Sequence, residues 1–115
     1  MIYKKLDVYQ LAIAFVGKIY NLTNSFPKSE LYGITSQINR AAVSIPLNIA
    51  EGSSRKSQKE YAHYLRIALG SANELESLFD VIIVVNLCAD QNIKEISIQL
   101  YRIRKMLQSM IHQRT

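Results

Sequence analysis

At 115 residues and 13.1 kDa, the chain has the size of one domain, residues 1–115, and a chain of this length buries roughly two-thirds of its unfolded surface. Hydrophobic residues at 49% against 20% charged exclude disorder as the main state, and 4 Gly, 2 Pro and no Trp leave few turn-formers for an all-β fold. A net charge of +5 favours anionic partners such as nucleic acid, or is the ordinary charge excess of a soluble protein.

Four helical segments are expected, joined by short turns. The first runs from about Asp7 to Ser25. Asp7 and Gln10 have the spacing of a capping box. Val8, Leu11, Phe15, Ile19, Leu22 and Phe26 recur at steps of three and four, and Tyr9, Ile13, Val16 and Tyr20 form a second apolar stripe beside them. Two stripes imply more than one neighbour. Phe26-Pro27 ends the segment, because proline restricts the residue before it.

The second segment runs from about Leu31 to Glu51. Leu31, Ile34, Ile38, Ala41, Ile45 and Ile49 trace its apolar face. Pro46 lies inside that pattern and predicts a kink between Ala42 and Pro46. Gly52 is expected to close the helix in the left-handed conformation of a C-cap.

The third begins at Ser57, with Glu60 completing a second capping box. Tyr61, Leu65, Ala68, Ala72, Leu75, Phe79 and Ile82 alternate steps of four and three, a heptad seam. The run Val81 to Val85 reads as a strand in isolation. The seam enters it in phase, so it is read as helix, about 45 Å long in all. The fourth segment follows an N-cap at Asp90 and carries Ile93, Ile96, Leu100, Ile103, Leu107 and Met110, fraying at Gln113-Arg114-Thr115. Four such helices bury their faces together as an all-α, up-down-up-down four-helix bundle with crossings of about 20°.

Little in the chain suits catalysis. The only cysteine, Cys88, has no motif around it and reads as an inert core thiol, and a lone cysteine in a chain this small points to the cytoplasm. His63 and His112 lack partners at metal-ligand spacing. No apolar run approaches the ~18 residues of a membrane span. No signal-peptide pattern follows Met1 to Asp7, and no nucleotide-binding or hydrolase motif occurs. Glu74, Glu76 and Asp80 cluster, as a solvated face would. The expectation is a non-enzymatic protein with no metal, no cofactor and no membrane contact.

Two constellations remain. Gln37, Arg40, Ser44, Asn48, Glu51 and Arg55 fall within about an 80° arc of the second helix. This polar stripe runs between apolar faces. It either makes buried hydrogen bonds and ion pairs within or between subunits, such as Arg40 to Glu51 or Glu74, or lines a ligand groove; its place in the middle of a core helix favours the first. The charge is also uneven. Residues 1–56 hold seven Lys/Arg against three acids, residues 57–101 three against six, and residues 102–115 four against none. Arg55, Lys56 and Lys59 at the second turn, and Arg102 and Lys105 on the fourth helix, are the candidate phosphate contacts. Scattered solubilising charge explains them equally well.

The stretch Ser36-Gln37-Ile38-Asn39-Arg40-Ala41-Ala42-Val43-Ser44-Ile45-Pro46-Leu47-Asn48-Ile49-Ala50-Glu51-Gly52-Ser53-Ser54-Arg55 resembles the signature of the bacterial 23S rRNA intervening-sequence proteins. Phe26-Pro27, Leu69-Gly70-Ser71 and Glu74-Leu75 match as well, and the likeness spans roughly residues 5–110, weakest in the last helix. The resemblance implies a four-helix bundle. That family is similar to the accessory protein of diversity-generating retroelements, a basic homopentameric barrel that works with a reverse transcriptase and nucleic acid, so a homopentamer is implied too. Gln37, Arg40, Ser44, Asn48 and Glu51 are the motif positions of the polar stripe; the resemblance assigns them no role. The expectation that follows is a cytoplasmic homo-oligomer binding RNA electrostatically. Its rival is an oligomeric scaffold that docks a protein partner, such as a nucleic-acid enzyme.

Overall fold

The computed structural model describes residues 2–115; Met1, the first residue of the expected domain, lies outside them. Four helices follow a short 3₁₀ turn at Ile2–Lys5: α1 (Asp7–Thr23), α2 (Ile34–Ser53), α3 (Gln58–Val84) and α4 (Asp90–Gln113), with no strand among the described residues. They form a rod of 43 × 22 × 20 Å. Packing runs around a ring, α1 on α2, α2 on α3, α3 on α4 and α4 on α1. Cross-helix contacts fix the directions. Thr23 Oγ1 meets Asn39 Oδ1 at 3.0 Å, Ser71 meets Ser44 at 2.8 Å, and the Arg114 guanidinium lies 4.3 Å from the Tyr61 ring centroid. Leu6, Asp7 and Val8 line one hollow with Met110 and Arg114. Ser44 and Ser71 meet at mid-helix, while Gly52 near the end of α2 lies against Tyr61 and Tyr64 near the start of α3. The end contacts thus join the end of one helix to the start of the next, or the start of α1 to the end of α4, the up-down-up-down arrangement.

The heptad seams enter the core as expected. Leu65, Ala68, Ala72, Leu75, Phe79 and Ile82 of α3 are buried, as are Ile93, Ile96, Leu100, Ile103 and Leu107 of α4. They meet Val8, Phe15, Ile19 and Leu22 of α1 and Ile38, Ala41, Ile45 and Ile49 of α2. The second stripe of α1 is divided: Tyr9 and Val16 pack partly buried against the core. Ile13 and Tyr20 are exposed, and so is Leu47 of α2 at 62%. That face exceeds what one four-helix core consumes.

The β-branched run Val81–Val84 is helical, because its seam residues Phe79 and Ile82 are anchored in the core. The helix stops at Asn86, which takes φ 58°. Leu87 N–H donates to Ile82 C=O at 3.1 Å and Asn86 N–H to Ile83 C=O at 3.2 Å, a Schellman closure that satisfies carbonyls left over at the helix end.

Local corrections concern the helix ends. α2 begins at Ile34, not Leu31; Leu31 is half exposed in a turn. Asp7 is the first residue of α1 and not its cap: the N-cap is Leu6, and Gln10 Nε2 donates to Lys4 C=O at 3.1 Å instead of closing a capping box. Asp90 likewise opens α4 behind Ala89, and both carboxylates sit in the first turn, where the helix dipole favours negative charge. Ser57 caps α3, accepting from Glu60 N–H at 3.1 Å; this is the serine half of the expected capping box, and among the described residues the Glu60 side chain makes no return bond. α4 ends at Gln113, and Arg114 just beyond it lies against the Tyr61 ring.

Gly52 does not close α2 as a C-cap. It lies inside α2, which runs on to Ser53 and caps at Ser54, and no glycine among the described residues has positive φ. A Cβ at position 52 would meet Tyr64 Cβ at 2.9 Å, Tyr61 Cδ1 at 3.0 Å and Tyr61 O at 3.3 Å. The glycine is there because α3 comes too close for a side chain. Pro46 lies buried within α2, and the helix continues through it.

Candidate nucleic-acid interface

The antiparallel order gathers three remote segments at one end of the rod: the start of α1, the α2–α3 turn and the end of α4. Residues 2–10, 50–63 and 108–115 hold Lys4, Lys5, Arg55, Lys56, Lys59 and Arg114 against Asp7, Glu51 and Glu60. The opposite end, residues 20–38 and 77–96, holds Lys28 and Lys94 against Glu30, Asp80, Asp90 and Glu95. The bundle is therefore electrically polar along its axis.

Among the sequence candidates, Lys56 and Lys59 are exposed at this end. Among the described residues the ion pairs are Arg55 with Glu51, at 3.2 Å, and Arg104 with Glu76, so both lysines are free for phosphate. Arg55 is committed elsewhere. It also donates to Tyr64 OH at 2.8 Å and lies 4.7 Å from the Tyr64 ring centroid. Arg102 and Lys105 do not join the turn cluster. Arg102 lies about 16 Å from the end of α4 and shares a hollow with Asp7, Gln10, Leu11 and Met106. Lys105 is 5.3 Å from the Tyr101 ring.

Sequence reading missed Lys4 and Lys5, which the 3₁₀ turn packs against α1 and α2 at the cationic end. Lys59, His63 and Arg66 step four and three along α3, and all three are exposed.

The polar stripe is split. Gln37, Arg40 and Glu51 are exposed, while Ser44 and Asn48 are half-buried. Neither expected partner of Arg40 pairs with it: Glu51 takes Arg55, and Glu74 stays beyond ion-pair distance. Asn48 Nδ2 donates to Ser44 C=O at 2.8 Å and to Ser44 Oγ at 2.9 Å. Stripe residues line two hollows flanking α2. One, of about 350 Å³, faces α3 and is lined by Gln37, Arg40, Ala41, Ser44, Ser71 and Glu74. The other, of about 340 Å³, faces α1 and contains Tyr20, Val43 and Leu47.

Burial pushes the half-exposed Cys88 thiol up, and the negative charge of Asp90 adds to it, the opposite of an activated nucleophile. Among the described residues no group of three His, Cys, Asp or Glu is arranged to hold a metal, and no helix is long and apolar enough to cross a membrane.

Fold and surface define a class: small antiparallel four-helix bundles with one cationic end. Within that class, residues 4–109 match the model of the 23S rRNA-intervening sequence protein family, and the chain belongs to that family. It is similar to the crystal structure of a protein of unknown function from the S23 ribosomal protein family of Bacteroides thetaiotaomicron. The TM-score is 0.85 at 27% identity, covering 91% of this chain and 95% of that one. No curated protein matches the chain.

Proposed function

We propose that the protein is a non-enzymatic, cytoplasmic homo-oligomer that binds RNA through its cationic end. The observation that carries this reading is the convergence there of Lys4, Lys5, Lys56 and Lys59 while the opposite end is acidic. Such a field attracts a polyanion and orients it. Contacts from flexible lysines recognise phosphate and not sequence.

The apolar face of α1 and α2, with Ile13, Tyr20 and Leu47 exposed, supports self-association, and the family resemblance suggests five copies. Side-by-side bundles would bring their lysine-bearing ends together on one face. Light scattering should return a mass of several chains, and a 13.1 kDa species at micromolar concentration refutes the oligomer. The same face favours the second reading, an oligomeric scaffold that docks a protein.

A titration of RNA at three salt concentrations separates the two. Each lysine–phosphate contact contributes a log–log salt slope of roughly −0.7 on a single strand. Lys56→Glu with Lys59→Glu should weaken binding to unrelated sequences alike and flatten the slope by about 1.4. Unchanged affinity and slope place the contacts elsewhere. No binding by the wild type at low salt hands the case to the scaffold.

A further inference from the structure

We propose that the hollow between α2 and α3 is a binding site for a single nucleotide whose base carries an exocyclic amine. The choice of ligand rests on the nucleic-acid reading above; the site itself rests on its chemistry. One wall, on α2, carries Arg40, which also borders the hollow toward α1, and the other, on α3, carries Glu74. Neither is paired within ion-pair distance among the described residues. The floor between them is a fixed hydrogen-bond relay. Ser44 Oγ accepts from Asn48 Nδ2 at 2.9 Å and lies 2.8 Å from Ser71 Oγ. The two serines have two hydroxyl protons, and one is used between their oxygens. The other has no protein acceptor among the described residues, so the floor offers a donor to whatever enters.

The site thus presents an anion-binding end, made by Arg40 and a serine hydroxyl, and an N–H-accepting end at Glu74. The two ends stand on separate helices. An α-amino acid carries its carboxylate and ammonium on one carbon and would span little of a volume of about 350 Å³, which lies at the small-ligand end of binding pockets. A nucleotide separates its phosphate from its base edge by a sugar, so its two ends can face the two helices separately. Arginine is suited to phosphate by its forked donors, and a carboxylate accepts from the cytosine amine. Uracil offers a carbonyl oxygen at that position and would face Glu74 oxygen to oxygen.

The test is an amide NMR titration of the full chain with CMP and with UMP, with inorganic phosphate as a third arm. CMP should shift resonances of α2 and α3 around Ser44 and Ser71 and bind about tenfold more tightly than UMP. Arg40→Ala should abolish binding of both. Glu74→Gln should erase the CMP preference, since its amide both accepts and donates. Lys56→Glu with Lys59→Glu should leave CMP binding unchanged, which separates this site from the lysine end. Equal shifts with phosphate alone, or no shift with CMP, overturn the proposal even where RNA binding persists. CMP binding without RNA binding upholds the site and overturns only the wider RNA reading. If Arg40→Ala instead lowers the oligomer mass and CMP does not bind, the hollow is a seam between copies and the proposal fails.

Discussion

Replacing Gly52 by alanine should destabilise the protein, although alanine is the better helix former. Gly52 is helical, so the exchange gains up to about 1 kcal/mol of propensity. Against this, the new methyl meets Tyr64 Cβ at 2.9 Å and the Tyr61 carbonyl at 3.3 Å. Neither neighbour is the free end of a side chain, so α2 and α3 must separate at their turn. Overpacking of this kind costs about 1–3 kcal/mol. Set against that gain, the net loss centres on about 1 kcal/mol, a fall in Tm of about 4 °C for a domain of this size. Gly17 and Gly70 provide the contrast. Both are exposed within helices, with nothing near enough to touch a Cβ. Gly17→Ala and Gly70→Ala should each stabilise by about 0.5–1 kcal/mol. Thermal unfolding followed by circular dichroism, with equilibrium denaturation as a check, measures all three. Asparagine separates close approach from a left-handed cap. Asparagine tolerates a left-handed position, so Gly52→Asn would be mild in a C-cap; here it should cost more than alanine. A Gly52→Ala protein melting at or above wild type, or a Gly52→Asn protein melting above Gly52→Ala, would refute the close-approach argument.

Pro46→Ala restores a backbone donor inside α2 and should leave the helical circular dichroism and the oligomer mass intact; a large loss of ellipticity would mean that the proline geometry is required for packing. Tyr61 predicts an alkaline effect. Burial raises its phenol above the ordinary 10.0, and the neighbouring Arg114 charge only partly opposes this. The folded chain therefore keeps a proton that the unfolded chain has lost, and stability drops as pH climbs past about 10. Comparing denaturation midpoints at about pH 9 and about pH 11, wild type should lose more than Tyr61→Phe; equal losses would show that Tyr61 makes no such contribution.

The amino-acid sequence by itself determined the helices and their buried faces. Seam positions such as Leu65, Leu75 and Leu107 were legible because burial of a helix recurs every three to four residues, a local signal that needs no knowledge of the neighbours. It also carried Val81–Val84 as helix against β-propensity, since the seam stayed in phase. Helix ends were less legible: Asp7 and Asp90 each fell one residue inside the helix, because a carboxylate is favourable both as a cap and in the first turn. Gly52 was assigned to a cap for want of the neighbouring helix; the same glycine serves a turn or a close approach, and only the position of Tyr64 tells them apart. The site belongs to the tertiary structure. Lys4, Lys56 and Arg114 come from segments far apart in the chain and lie at the same end of the rod because antiparallel packing returns alternate helix ends to the same place. Arg40 and Glu74 share a hollow for the same reason. Surface charges follow no period that burial imposes, so their grouping is decided by the order in which the helices pack and not by the spacing of the residues themselves.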